Sequence, residues 1–67
     1  MKVYLVWEIR YSLPFNHNRL KGVYLSKESA DKHCAELNAT EAEPIEEDDY
    51  GKYAGIEFEV YENEAKP

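Results

Sequence analysis

The sequence predicts an α+β domain in which a three-stranded antiparallel sheet of order 2-1-3 carries one helix packed on one face, in the chain order ββαβ. Three observations predict it: an alternating run from Val3 to Tyr11, a helix-start signal at Ser26, and a second alternating run from Ile56 to Tyr61.

In the first strand Val3, Leu5, Trp7, Ile9 and Tyr11 share one side of an extended chain, and Tyr4, Val6, Glu8 and Arg10 share the other. The first side is apolar throughout and is expected to meet the core, burying Trp7. Because Tyr4 and Val6 make the second side partly apolar, the strand is expected at the centre of the sheet. Ser12 to Arg19 holds Pro14, Asn16 and Asn18 and reads as a hairpin loop. A second strand follows from Leu20 to Leu25, with Val23 and Leu25 on one side and Tyr24 on the other.

Ser26 is placed to accept a hydrogen bond from the first helical turn, and Glu28 complements the positive end of the helix dipole. Ala30, Cys34 and Leu37 then recur at helical spacing, which predicts a helix over 27–39. Residues 40 to 55 read as an acidic, mobile loop around Pro44, with Gly51 and Gly55 bracketing a turn. In the third strand Ile56, Phe58 and Val60 alternate with Glu57, Glu59 and Tyr61, and 63–67 reads as a frayed tail. A right-handed crossover through the helix would set this strand antiparallel beside the first.

With 67 residues the chain has length for one domain over 1–67, and 43% hydrophobic residues distinguish it from a disordered acidic chain despite a net charge of −6. So small a core leaves little room for a pocket of the roughly 300 Å³ that ligands commonly occupy, so no enzyme activity and no cofactor are expected. Cys34 is the single cysteine, which excludes an internal disulfide and fits a reducing compartment. Glu8 interrupts the amino-terminal apolar run too early for a signal peptide or a membrane span, so a cytoplasmic protein without membrane contact is expected.

Charge is divided unevenly: residues 1–33 sum to +3 and residues 34–67 to −9. Glu41, Glu43, Glu46, Glu47, Asp48 and Asp49, joined by Glu57, Glu59 and Glu62, form the expected acidic partner-binding set. Gathered on one surface they would resemble a nucleic acid and fit a basic groove on a protein partner, while the plainer role of such charge is solubility and protection of a sheet edge. Tyr4, Tyr24 and Tyr61 are the aromatic partner-binding candidates, expected opposite the helix as a patch across three strands that would suit a homodimer or ordinary cross-strand packing.

Direct nucleic-acid binding is not expected, because Lys2, Arg10, Arg19, Lys21, Lys27 and Lys32 are dispersed. His33 beside Cys34 lacks the ligand set of a zinc site, and Cys34 fits the buried helical stripe better than a nucleophile's role. Glu46, Glu47, Asp48 and Asp49 are consecutive and do not reproduce a calcium loop, so neither catalytic nor metal residues are assigned.

The segments Val3-Tyr4-Leu5-Val6-Trp7-Glu8, Gly22-Val23-Tyr24-Leu25-Ser26-Lys27-Glu28-Ser29-Ala30 and Phe58-Glu59-Val60-Tyr61 together resemble small uncharacterised domains of bacteria and their phages. The resemblance implies a compact sheet-and-helix domain and no reaction. With the charge division it leads to the expected function: a phage-encoded, anti-CRISPR-like inhibitor that blocks a nucleic-acid-handling or defence complex in the host cytoplasm. The alternative expectation is a structural or regulatory subunit that associates through an aromatic sheet face.

Overall fold

A computed structural model describes residues 1–12 and 15–65. They form β1 (Lys2–Ser12), β2 (His17–Tyr24), α1 (Lys27–Thr40), β3 (Glu43–Asp48) and β4 (Gly51–Glu64). The sheet has four antiparallel strands in the order β2-β1-β4-β3, which corrects the three-stranded 2-1-3 expectation.

The added strand is the acidic stretch itself. Glu43, Glu46, Glu47 and Asp48 pair with Ile56, Ala54, Lys52 and Gly51 of β4. An edge strand needs no apolar alternation, and charges and a proline are common there because they discourage pairing with other chains. The hairpin closes through Asp49 and Tyr50, where the Tyr50 N–H donates to Asp48 Oδ1 at 2.8 Å. At Gly55, φ is +117°, and a Cβ would lie 2.6 Å from the Pro44 carbonyl oxygen, so only glycine lets β3 approach β4 there.

The first hairpin pairs β1 and β2 from Tyr4↔Tyr24 to Arg10↔His17, with a bulge that leaves Lys21 as the extra residue beside Leu20. Leu13 and Pro14, part of the expected hairpin loop, lie outside the described residues, as do Lys66 and Pro67 of the expected tail. Strand β4 continues to Glu64, and the Ala65 N–H donates to the Met1 carbonyl at 2.7 Å.

Helix α1 starts where Ser26 accepts from the Ser29 N–H, and it buries Ala30, Cys34 and Leu37. These meet Val6, Ile56 and Phe58, with Tyr4, Tyr24 and Val60 packed at the margin. The covered side of β1 is therefore the one bearing Tyr4, Val6 and Glu8, the reverse of the expected side. Both sides of β1 carry apolar residues, and the more apolar one is not the one the helix covers, so counting hydrophobic residues favours the wrong side. The short side chains of Ala30 and Cys34 bring the helix close over Val6, which is 0% exposed.

A second device holds the helix to the sheet. Among the described residues, no strand pairs with β4 on its β3 side beyond Ile56. Asn38 fills that place: its Nδ2 donates to the Phe58 carbonyl and its Oδ1 accepts from the Phe58 N–H, each at 3.1 Å. The Cys34 thiol donates to the same carbonyl at 3.2 Å.

Candidate binding surfaces

With β1 inverted, Val3, Leu5, Trp7, Ile9 and Tyr11 project from the side of the sheet that α1 does not cover. Strand register arranges their neighbours in rows: Val23–Leu5–Tyr61, Leu20–Trp7–Glu59 and Asn18–Ile9–Glu57. Leu20, Val23 and Tyr61 are 46%, 55% and 45% exposed, and the β1 side chains between them are partly exposed. A shallow groove of about 310 Å³ runs between Trp7, Ile9, Asn18, Tyr61 and Asn63.

This face also carries a polar flank. The Tyr11 hydroxyl donates to Glu57 Oε1, Lys52 Nζ stands 3.8 Å from the same oxygen, and its ammonium lies 5.0 Å from the centre of the Tyr11 ring. The bond to Glu57, with burial adding to it, raises the Tyr11 pKa above the ordinary 10.0. Tyr61 donates to Glu59 Oε2, which likewise raises its pKa.

The three aromatic candidates do not form one patch. Tyr61 stands on the uncovered face opposite Leu5, whereas Tyr4 and Tyr24 lie on the helix side. There Tyr4 donates to Glu62 Oε1 at 3.3 Å, and the Tyr24 hydroxyl and His33 Nδ1 are hydrogen-bonded at 2.8 Å. Sequence reasoning missed Leu5, Trp7, Ile9 and Leu20 as surface groups. Their only signal is that β1 is apolar on both sides, which leaves one side without a helix to meet it.

The acidic candidates also separate into groups. Glu43, Glu46, Glu47 and Asp48 line the β3 edge, with Glu41 at the end of α1 and Asp49 in the turn. Among the described residues, none of these six has a lysine or arginine within ion-pair distance. Glu57 and Glu59 belong to the uncovered face, and Glu62 is paired with Lys2 at 3.5 Å on the helix side. The opposite edge, β2, carries Arg19 and Lys21, so charge changes sign across the sheet.

Glu8 is the one buried charged residue among those described, 8% exposed. It lies 3.6 Å from Arg10 and borders a cavity of about 430 Å³ with Arg10, His17, Asn18 and Arg19. In the strand register Glu8 stands opposite Arg19. Burial raises the pKa of the Cys34 thiol, which keeps it protonated and unreactive near neutrality. Among the described residues no three His, Cys, Asp or Glu side chains converge as a metal site, and no helix is long and apolar enough to cross a membrane.

The arrangement defines a small α+β domain whose distinctive features are surfaces. The chain belongs to the family described as "Domain of unknown function (DUF7336)", whose model matches residues 1–66. No curated protein and no solved structure matches it.

Proposed function

We propose that this domain is an interaction subunit that binds a protein through the uncovered face of its sheet, with Trp7 at the centre of the contact. The observation that carries this reading is the row Leu20–Trp7–Glu59, in which the single tryptophan of the chain sits at the middle of an unshielded apolar surface. Large apolar patches bounded by polar groups are characteristic of association surfaces, and tryptophan and tyrosine commonly dominate their energetics. Cys34, buried and unpaired, supports a reducing cytoplasmic setting.

A second reading rests on a different observation, the β3 carboxylates that have no lysine or arginine within ion-pair distance among the described residues. In it the domain is an inhibitor, phage-encoded in its most specific version, whose acidic edge enters the basic groove of a nucleic-acid-handling complex. Affinity capture with the immobilised chain, at low and high salt, separates the two. Capture that survives salt and disappears in Trp7→Glu supports the sheet face. Capture lost in salt, and lost when Glu43, Glu46, Glu47 and Asp48 are neutralised, supports the acidic edge and refutes the lead reading.

A further inference from the structure

We infer that the occupant of the uncovered face is a second copy of this chain, packed sheet to sheet about a two-fold axis parallel to β1. The inference rests on the reading of that face as the binding surface and adds the identity and orientation of what covers it.

The covered side buries few large groups: Val6, Leu37, Ile56 and Phe58, with Ala30 and Cys34. Leu5, Trp7 and Ile9 stand on the opposite side of the sheet. The chain thus has one complete layer contact and half of another. A second sheet packed about 10 Å away would complete it as a sandwich.

The size is adequate. The molecule measures 41 × 25 × 16 Å, so its broad face is on the order of 1,000 Å², against roughly 800 Å² per partner in a standard interface.

Charge selects the symmetry. A two-fold axis in the interface and perpendicular to the strands would stack β3 on β3, setting Glu43, Glu46, Glu47 and Asp48 over their own copies. An axis along β1 instead places the β2 side of each chain over the β4 side of the other and sends the two acidic edges to opposite flanks. Leu20, at the level of Trp7, then lies over Glu59 of the second copy, and Asn18, at the level of Ile9, over its Glu57. Val23 faces Tyr61 of the second copy, and Trp7 meets Trp7 across the axis. Both halves of each contact lie on one surface, as an isologous dimer requires.

Sedimentation equilibrium of the full chain tests the association. The expected species is twice 7.8 kDa at high concentration, dissociating on dilution with a red shift of Trp7 fluorescence. Trp7→Glu is expected to give a monomer with an unchanged far-ultraviolet circular dichroism spectrum. Val23→Glu does the same from a position already exposed in the single chain, so loss of folding would not obscure the result. Leu20→Glu, which sets a carboxylate against Glu59 of the second copy, is expected to weaken the dimer tenfold or more, and adding Glu59→Lys to restore much of it.

Orientation is read by cross-linking with a short bifunctional maleimide in a Cys34→Ser background, because facing positions on sheets about 10 Å apart lie too far apart for a direct disulfide. Leu5→Cys and Ile9→Cys are each expected to cross-link to themselves. Cross-linking only when the two variants are mixed would place the axis across the strands and overturn the arrangement. A monomer at every concentration, or a dimer indifferent to both Trp7→Glu and Val23→Glu, would overturn the inference. If the chain is monomeric yet capture of another protein still depends on Trp7, the occupant alone is wrong. If that capture also fails to depend on Trp7, the reading of the face falls as well.

Discussion

Replacing Asn38 by alanine removes the amide that closes the exposed end of β4. Two hydrogen bonds of 3.1 Å to the backbone of Phe58 are lost. The Phe58 carbonyl keeps the Cys34 thiol at 3.2 Å, whereas the Phe58 N–H loses its Asn38 acceptor. An ordinary hydrogen bond contributes about 1 kcal/mol net, and a buried donor left unpaired costs about 1–3 kcal/mol, so the expected loss is about 2 kcal/mol. With a urea slope of about 1 kcal/mol/M for a domain this small, the midpoint should fall by about 2 M. In the double variant with Cys34→Ala the carbonyl loses both donors, so the combined loss should exceed the sum of the single losses by about 0.5–1 kcal/mol. An Asn38→Ala midpoint indistinguishable from the parent would show that water serves Phe58 equally well and that Asn38 is not the edge closure.

Three further outcomes are expected. Gly55→Ala forces a Cβ against the Pro44 carbonyl oxygen and into a backbone conformation with φ near +117°, so a loss of about 1–3 kcal/mol is expected, with amide exchange accelerating first across β3. Glu41→Lys exchanges an anion for a cation at the end of α1, whose last turn has no basic residue, and should stabilise the chain by about 0.3–1 kcal/mol at low salt, measured by thermal unfolding. Tyr11, Tyr61 and Cys34 all hold their protons more tightly in the folded chain, through the Glu57 bond, the Glu59 bond and burial respectively. The stabilisation is complete below their ordinary values of 10.0, 10.0 and 9.0 and is lost as pH climbs through the raised ones. Urea unfolding should weaken above about pH 9, less steeply in Tyr11→Phe; a parent whose stability is flat up to pH 11 contradicts this.

The elements whose residues announce themselves locally were the legible ones. Ser26 and the Ala30–Cys34–Leu37 spacing place α1, and Ile56, Phe58 and Val60 mark β4, because capping and periodicity depend on neighbours in sequence. Strand β3 has no such signal: its carboxylates and Pro44 resemble a loop, and it is a strand because β4 supplies its hydrogen-bonding partner. The stretch between Gly51 and Gly55, expected as a turn, is the first part of β4, and the turn lies at Asp49 and Tyr50 instead. The face of β1 was ambiguous for a comparable reason, since Val6 or Trp7 could each serve a core and the choice depends on the size of the helix residues opposite. The surface site inherited that ambiguity. With the wrong face of β1 taken as covered, Tyr4 and Tyr24 point outward and Trp7 inward, so the pattern groups aromatic residues that the fold separates.

The gradation from Arg19 and Lys21 on one rim to Glu43, Glu46, Glu47 and Asp48 on the other makes the single chain an electric lever. A nearby charged body exerts a torque on it before any atoms touch: cationic bodies are met β3 first, anionic ones β2 first, and salt abolishes the alignment at separations beyond a Debye length, roughly 10 Å at 0.1 M. Two chains turned about an axis along β1 have opposed gradients that cancel. Alignment in a field would therefore belong to the free chain and fade as pairs form.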